Sequence, residues 1–371
     1  MDCPTDEQNS RLQDFKETIK AFVEHEMFDM LAVRLFPDTP KEELKGRLMG
    51  MESVDQFQSM FMYRGCQWVI KNTMSRFTYS GTEHLDSTPR LFISNHRDIV
   101  LDAMMLQYIL VEQGLATSHV VIGANLMEVP IMPILARLNK MYSIGRGGNR
   151  MEFYRCLMAM SQQLRQWVVE QGESVWIAQR NGRTKDGIDR TDPALVKMIA
   201  SSRKEKDPVG ALAAMHITPV SVSYEWEPCA ALKAREMCLS QQGSYTKAPG
   251  EDTQSVMSGI VDFKGHVHFT ICQPLSYDEL AEVGGEYHAV ATLIDRRIAE
   301  GYHLTANNRI AKQLLEGITP EETPELHSFQ TYLKETCRQY PLGDDFRQRL
   351  LGIYGELKIE RAFAQRINNQ H

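Results

Sequence analysis

The sequence predicts an α/β protein in which a largely parallel sheet is flanked by helices, with a helical N-terminal region and a helical C-terminal extension. From residue 90 onward, short apolar runs predict buried strands at residues 90–94, 119–124, 141–144, 174–178 and 217–224. Helical patterns separate these runs, at residues 99–110, 131–138, 151–170 and 193–201. Strands that alternate with helices in this way indicate a largely parallel sheet.

The first ninety residues are predicted to be helical. Apolar residues recur at helical spacing from residue 12 to residue 31, with charged residues on the opposite side. The segment 36–40 contains two prolines and breaks this pattern. A second helical stretch begins near Phe57 and ends before Tyr79. Its methionine and aromatic side chains suit either the core of a helix bundle or contact with a lipid surface.

The last third of the chain returns to helices after one more extended segment. Residues 261–272 contain Lys264-Gly265 and alternate in polarity, which predicts either a hairpin or a last strand with a bend. Beyond Ser276 the pattern is helical, and the pairs that begin at Pro320 and Pro324 predict helix starts. We therefore expect three parts: a helical region at residues 1–88, an α/β domain at 89–276, and a helical extension at 277–371.

The overall charge excludes a generally basic protein. The chain has 371 residues, 43% of them hydrophobic, a mean hydropathy of -0.35 and a net charge of -7. This acidic balance argues against a nucleic-acid partner. However, residues 129–206 carry 14 Lys and Arg against 7 Asp and Glu, so that segment has a surplus of seven positive charges. A local site for an anion is therefore compatible with an acidic chain.

Cysteine usage and hydropathy predict a cytoplasmic protein. The seven cysteines are an odd number with no Cys-x-x-Cys pair, which favours free thiols in a reducing compartment. Residues 1–10 are polar and lack the features of a signal peptide. No apolar run approaches the ~18–20 residues that a membrane-spanning helix needs. Any membrane contact is therefore expected to be peripheral.

The segment at residues 93–102 contains the strongest candidate for catalysis. A predicted strand ends at Ser94, His96 follows, and an apolar helix starts near Ile99. In open α/β sheets, the carboxyl ends of the strands are where sites are built. A histidine there with a nearby carboxylate suits a general base and the partner that orients it. Asp98 and Asp102 are both candidates for this partner, and Asp98 is equally suited to capping the helix.

These residues resemble the signature of the glycerolipid acyltransferase family, which includes 1-acylglycerol-3-phosphate acyltransferases. That signature is Asn-His, four residues, then Asp. Here Asn95-His96 fits, Leu101 occupies the nominal Asp position, and Asp102 comes one residue later. We favour Asp102 as the partner of His96 because an apolar helix face follows it as in the family, and Asp98 is the alternative.

Three further segments resemble later blocks of the family, in the family's order. Residues 140–146 are similar to the strand whose final arginine, here Arg146, helps to bind the acceptor phosphate, and glycines follow it before a helix. Residues 176–187 are similar to the block Phe-Pro-Glu-Gly-Thr-Arg. Residues 217–220 are similar to the family's proline-bearing strand.

The segment at residues 176–187 supplies most of the expected substrate contacts. The resemblance implies that Asn181, Gly182, Arg183 and Lys185 contact the substrate, as Asn95 does, with Asn181 in place of the family's Glu. The aspartates at 186, 189 and 192 lack the spacing of a calcium loop and predict a solvated loop.

The resemblance implies an O-acyltransferase of phospholipid biosynthesis with His96 as general base. The donor would be acyl-CoA or acyl carrier protein, and the acceptor a phosphorylated glycerol or a lysophospholipid such as 1-acylglycerol 3-phosphate. No cofactor and no metal are expected, and the chain has no Gly-x-Ser-x-Gly nucleophile. The alternatives are a soluble glycerol-3-phosphate acyltransferase and a non-catalytic lipid- or acyl-binding protein on the same scaffold.

Overall fold

The computed structural model describes residues 4–145, 150–201, 207–241 and 250–357, and the single residues 243, 245 and 248. The strands are β1 (Met74–Ser80), β2 (Leu91–Ser94), β3 (His119–Gly123), β4 (Met141–Ile144), β5 (Val175–Ala178), β6 (Thr218–Tyr224) and β7 (Gly265–Ile271). The α-helices are α1 (Pro4–Glu24), α2 (Phe28–Leu35), α3 (Lys41–Met49), α4 (Val54–Phe57), α5 (Tyr63–Thr73), α6 (Leu101–Glu112), α7 (Met132–Leu138), α8 (Arg150–Arg165), α9 (Pro193–Ala200), α10 (Pro208–Ala213), α11 (Ala230–Gln241), α12 (Glu251–Val261), α13 (Tyr277–Glu282), α14 (Tyr287–Gly301), α15 (Ala306–Leu315), α16 (Pro324–Gln339) and α17 (Gly343–Gly355). Two π-helical segments, Gln58–Met62 and Gln166–Gln171, and two 3-10 helices, Thr82–His84 and Ala124–Glu128, complete the elements.

The strands form one seven-stranded, mostly parallel sheet flanked by helices. Its order is β1-β7-β6-β2-β5-β3-β4. Strands β2 to β6 run parallel to one another, β7 runs antiparallel to β6, and β1 pairs in parallel with β7. The carboxyl ends of β2, β3, β4, β5 and β6 therefore meet at the same edge, which is where an α/β sheet builds its site.

An apolar layer covers each face of the sheet, as side-chain alternation along a strand requires. In β2, Phe92 packs into the layer that also holds α6, while Leu91 and Ile93 pack into the layer beneath α9 and α14. Two further apolar clusters lie outside these layers. One joins helices α1–α4 and α7, and the other joins α11 with α15–α17.

The predicted strands and the helices between them are confirmed, with boundaries that differ by a few residues at most. The segment at 261–272 is a last strand rather than a hairpin, because α12 runs to Val261 and β7 follows at Gly265. Of the two predicted Pro-Glu helix starts, Pro324 begins α16, where the Thr323 side chain accepts from the Leu326 N–H. Pro320 begins no helix.

The second N-terminal helical stretch was predicted to continue too far. The helix ends at Thr73, and residues 74–80 form β1. Met74 and Phe77 continue the helical spacing. However, Phe77 packs on Phe269 of β7, and pairing with β7 holds this segment as a strand instead of a helix. The three-part division at residues 88 and 276 stays a prediction, and β1 joins the central sheet from within the first part.

Candidate active site

The turn between β2 and α6 carries the candidate catalytic residues at the carboxyl edge of the sheet. Ser94 ends β2, and its hydroxyl accepts a hydrogen bond of 3.0 Å from Trp176 Nε1 of β5. Asp98 then accepts the N–H groups of Val100 and Leu101 at 2.8 Å each through Oδ1. An acidic side chain that satisfies these free N–H groups at the start of a helix stabilises it. The turn is therefore fixed at both ends, with His96 between them.

His96 and Asp102 lie in hydrogen-bond contact. His96 Nδ1 is 3.0 Å from Asp102 Oδ2, and the Asp102 carboxylate is fully buried. The same Oδ2 accepts the N–H of Arg97 at 2.6 Å and that of Asp98 at 2.9 Å. Three donors therefore converge on one oxygen, a geometry that holds the imidazole against the first turn of α6.

Tyr224 supplies a fourth donor to Asp102. Its hydroxyl lies 2.8 Å from Asp102 Oδ1, and burial and the charge of Asp102 raise the pKa of Tyr224 well above its usual value. The phenol therefore stays protonated and donates. Tyr224 ends β6, a predicted strand, but nothing in the sequence indicated that β6 lies beside β2.

Asp98 has a different environment from Asp102. Burial, and then the charge of Asp102, raise the pKa of Asp98, while Arg183 opposes this rise. Its Oδ2 has no hydrogen-bond partner within the described ranges, and Gly259 of α12 packs so closely that a Cβ there would lie 2.3 Å from it. Of the two aspartates, Asp102 is the one that contacts the His96 ring.

Asn95 is fully buried and is used within the protein. Its Nδ2 donates to the Val222 carbonyl at 2.9 Å and to Asp189 at 3.0 Å, and its Oδ1 accepts the Val222 N–H at 2.8 Å. The side chain thus ties the end of β2 to β6. The expectation that Asn95 contacts the substrate stays a prediction, and these bonds assign its amide an internal role.

A cleft of about 440 Å³ opens beside His96 at the carboxyl edge of the sheet. Ile122 of β3, Gly145 after β4, and Trp176 of β5 line it. The loop after β5 also lines the cleft, with Arg180, Asn181, Gly182, Arg183 and Lys185. The structure therefore brings residues 180–185 and the candidate base to one cavity. Arg180 also lines this cavity, although its position in the sequence gave no separate reason to predict a substrate contact there.

The predicted substrate contacts differ in how freely they face the cleft. Asn181 is exposed, and Gly182 has a φ of 79° in the left-handed region that favours glycine. Arg183 is partly buried, and its Nη1 makes no hydrogen bond with any described residue. Lys185 pairs with Glu236 of α11. Arg146 and the glycines after it lie outside the described residues.

A narrower apolar cavity of about 90 Å³ adjoins the cleft between α5, α6 and the β3 strand. Both cavities share Ile99, Ile122 and Leu126 in their walls. The lining also includes Cys66 and Met104. An unbranched hydrocarbon suits a space with these walls, because burial of apolar surface is favourable.

One family of known proteins matches the central part of the chain. Residues 76–223 match the family described as Acyltransferase, a range that begins within β1, ends within β6 and includes the whole turn between β2 and α6. Among solved structures, the 1-acyl-sn-glycerophosphate (LPA) acyltransferase PlsC from Thermotoga maritima is 13% identical, and the match covers 79% of this chain and 97% of that chain with a TM-score of 0.38. No curated protein matches the sequence.

Proposed function

Because this chain contains a domain of the acyltransferase family and is an acyltransferase, we propose that it moves a fatty acyl group from a thioester to a hydroxyl of a glycerol-phosphate-type acceptor such as 1-acylglycerol 3-phosphate. The thioester would be acyl-CoA or acyl carrier protein. The observation that carries the proposal is the His96–Asp102 pair beside a cleft that arginines also line.

His96 is proposed as the general base. Asp102 accepts from Nδ1–H, which leaves the Nε2 lone pair free to take the proton of the acceptor hydroxyl. The hydroxyl oxygen then forms a C–O bond with the thioester carbonyl carbon. When the C–S bond breaks, the imidazolium returns the proton to the leaving thiolate. Asp102 stabilises the imidazolium in between, and general-base catalysis of this kind contributes roughly 10²–10⁴-fold.

Arg183 and Arg180 are proposed to hold the acceptor phosphate. Both line the cleft, and Arg183 has a guanidinium nitrogen without a hydrogen-bond partner among the described residues. Arginine binds phosphate through charge-assisted, often paired hydrogen bonds. Asn181, Gly182 and Lys185 border the same space and complete the proposed acceptor site, with Arg146 as a further proposed contact.

The apolar cavity is proposed to hold the acyl chain. It shares the wall residue Ile99, three residues beyond His96, with the cleft, so a thioester carbonyl beside the histidine could extend its hydrocarbon toward Met104. The charged acceptor head and the apolar acyl tail would then occupy separate spaces, the cleft and the apolar cavity.

The cytoplasm is the proposed compartment, with peripheral membrane contact as an addition. Each of the six described cysteines is a free thiol, which suits a reducing environment. Within the described residues, no helix has both the length and the apolar character to cross a membrane. Co-sedimentation with phospholipid vesicles tests the peripheral contact.

The deciding experiment is a thioester-release assay with acyl-CoA and with acyl carrier protein as donors. Lysophosphatidate and glycerol 3-phosphate are supplied at equal concentration, and mass spectrometry identifies the acylated product. We expect transfer to lysophosphatidate and a loss of about 10²–10⁴-fold in kcat for His96→Ala. A preference for glycerol 3-phosphate would favour the soluble-acceptor alternative, and full activity in His96→Ala would refute the mechanism.

A further inference from the structure

The loop that follows β5 contacts the catalytic turn through one carboxylate. Asp189 Oδ2 accepts from Asn95 Nδ2 at 3.0 Å and from Arg97 Nη2 at 2.7 Å. These donors are the two residues that flank His96 in the sequence. A single carboxylate oxygen thus holds the chain on both sides of the candidate base.

The same carboxylate also reaches His96 by a third route. Asp189 Oδ1 accepts the Thr184 hydroxyl at 2.7 Å, and the Thr184 N–H donates to the His96 carbonyl at 2.7 Å. The backbone of His96 is therefore fixed by a residue that Asp189 itself orients. We refer to Asp189, Thr184, Asn95 and Arg97 as the Asp189 clamp.

The negative charge of Asp189 is needed to pair with the buried guanidinium of Arg97. Its guanidinium is fully buried, and Asp189 and Glu227 are its acidic partners, at 2.7 Å and 3.5 Å. Lys233 Nζ donates to the Arg97 carbonyl at 2.7 Å and to Glu227 at 2.6 Å. Two buried cations thus meet two acids, and removal of one acid leaves a buried charge without its partner.

The clamp is also connected to the C-terminal helices. The Glu227 N–H donates to the hydroxyl of Tyr354 in α17 at 3.2 Å, and the Tyr354 carbonyl accepts from Asn308 of α15 at 3.0 Å. Gly187, two residues before Asp189, packs directly on the backbone of α17. The helical extension therefore supports the loop that holds the catalytic turn.

We propose that Asp189 is a positioning residue for His96, and that it keeps the imidazole on Asp102 by clamping the residues on both sides of it. This inference rests on the proposed function, because it assumes that His96 is the base. It assigns a positioning role to an aspartate that the sequence predicts to be part of a solvated loop, and it gives the C-terminal extension a part in the site.

The test compares Asp189→Asn with Asp186→Asn, a control in the same loop whose exposed side chain accepts a local hydrogen bond from the Ile188 N–H. Asparagine has one acceptor oxygen and no charge. It therefore cannot accept from the Thr184 hydroxyl as well as from Asn95 and Arg97, and it removes the negative charge that pairs with Arg97. Because a displacement of about 1 Å costs up to about 100-fold in rate, we expect kcat to fall about 10- to 100-fold in Asp189→Asn with little change in KM, and Asp186→Asn to match the wild type.

A second readout needs no catalysis. Ring ¹⁵N signals of His96, assigned by their loss in His96→Gln, report which nitrogen carries the proton. In the wild type we expect a proton fixed on Nδ1, and in Asp189→Asn a mixture of the two tautomers. If the wild type transfers no acyl group at all, the proposed function fails, and this signal still tests the clamp.

Thr184→Val guards against a variant that does not fold, because it removes one bond to Asp189 and leaves the partner of Arg97 in place. We expect a smaller fall in kcat and a partial change in the His96 signal. The inference is overturned if Asp189→Asn loses thermal stability but keeps wild-type kcat and a wild-type His96 signal, since Asp189 would then serve only as the counter-ion of Arg97.

Discussion

Gly187 offers a direct test of how closely α17 packs on the loop that follows β5. Its φ of 79° lies in the left-handed region, and a Cβ there would lie 2.6 Å from the Gly352 carbonyl oxygen and 2.8 Å from that of Ile353. Gly182 in the same loop has the same φ of 79°, but a Cβ there would meet nothing within 4 Å. Gly187→Ala and Gly182→Ala therefore share a conformational change and differ in the steric one.

The expected magnitudes follow from this difference. Left-handed backbone costs a residue with a Cβ about 1–2 kcal/mol, and both variants incur that cost. A methyl group forced against backbone adds the cost of overpacking, typically about 1–3 kcal/mol, and only Gly187→Ala incurs this part. Its oxygen contacts are backbone atoms of α17, which cannot move aside as the end of a side chain can. We therefore expect Gly187→Ala to lose about 1–3 kcal/mol more than Gly182→Ala.

The assay is urea unfolding followed by far-ultraviolet circular dichroism and by tryptophan fluorescence. Trp226, one of the four tryptophans, packs against Phe329 and Tyr332 in the C-terminal cluster, so part of the emission reports on that region. Agreement between the two probes shows whether one transition describes the chain. Equal losses of stability in the two variants would refute the close packing of α17 on the loop.

Three further predictions concern the site and the sheet. Asp102→Asn should lower kcat about 10²–10⁴-fold, because the imidazolium loses its countercharge. Asp98→Asn should change kcat little, because its amide oxygen can still accept from the helix N–H groups. If steady-state kinetics gave the larger loss for Asp98→Asn, Asp98 would be the partner of His96. Asn181→Glu should raise KM for a phosphorylated acceptor up to about fivefold, because it places an exposed negative charge in the cleft. Asn181→Gln is the neutral control. An unchanged KM in Asn181→Glu would show that Asn181 does not lie near the acceptor phosphate. Burial, and then the charges of His303 and His266, lower the pKa of His268 from 6.5 to about 4. The folded state therefore binds this proton less readily than the unfolded chain does. Stability should fall as the pH decreases from about 6.5 to about 4. His268→Asn should flatten the dependence of Tm on pH between about 6.5 and 4, and parallel curves for the two proteins would contradict this assignment.

The sequence predicts the strands of this fold well because each buried strand is a short apolar run. It predicts β1 wrongly, because an edge strand with Arg76 and Thr78 among its residues lacks such a run, and Met74 and Phe77 keep the helical spacing of α5. The partner strand β7 is almost two hundred residues away in the chain; Thr78, for example, pairs with His268. A local sequence pattern therefore cannot predict this pairing.

The same limit applies within the site. The contact of His96 with Asp102 spans six residues, so spacing within one turn and helix is enough to suggest it. Tyr224 and Asp189 reach that turn only because β6 and β5 are the two neighbours of β2 in the sheet. The order of the strands decides these contacts, and the order is a property of the folded chain. Asp189 therefore matched a solvated loop in the sequence, although its carboxylate accepts three hydrogen bonds in the structure.

The positive segment at residues 129–206 contributes less free charge to the cleft than its surplus suggests. Lys140 pairs with Asp55, and Lys185 pairs with Glu236, so both act partly within the protein. Arg180 and Arg183 line the cleft, where Asp192 and Asp252 are also part of the wall. With Asn181 between the arginines, the wall lacks the further negative charge that the family's Glu would bring. Selection of the proposed anionic acceptor would therefore depend on where the two guanidinium groups point rather than on the net charge of the segment.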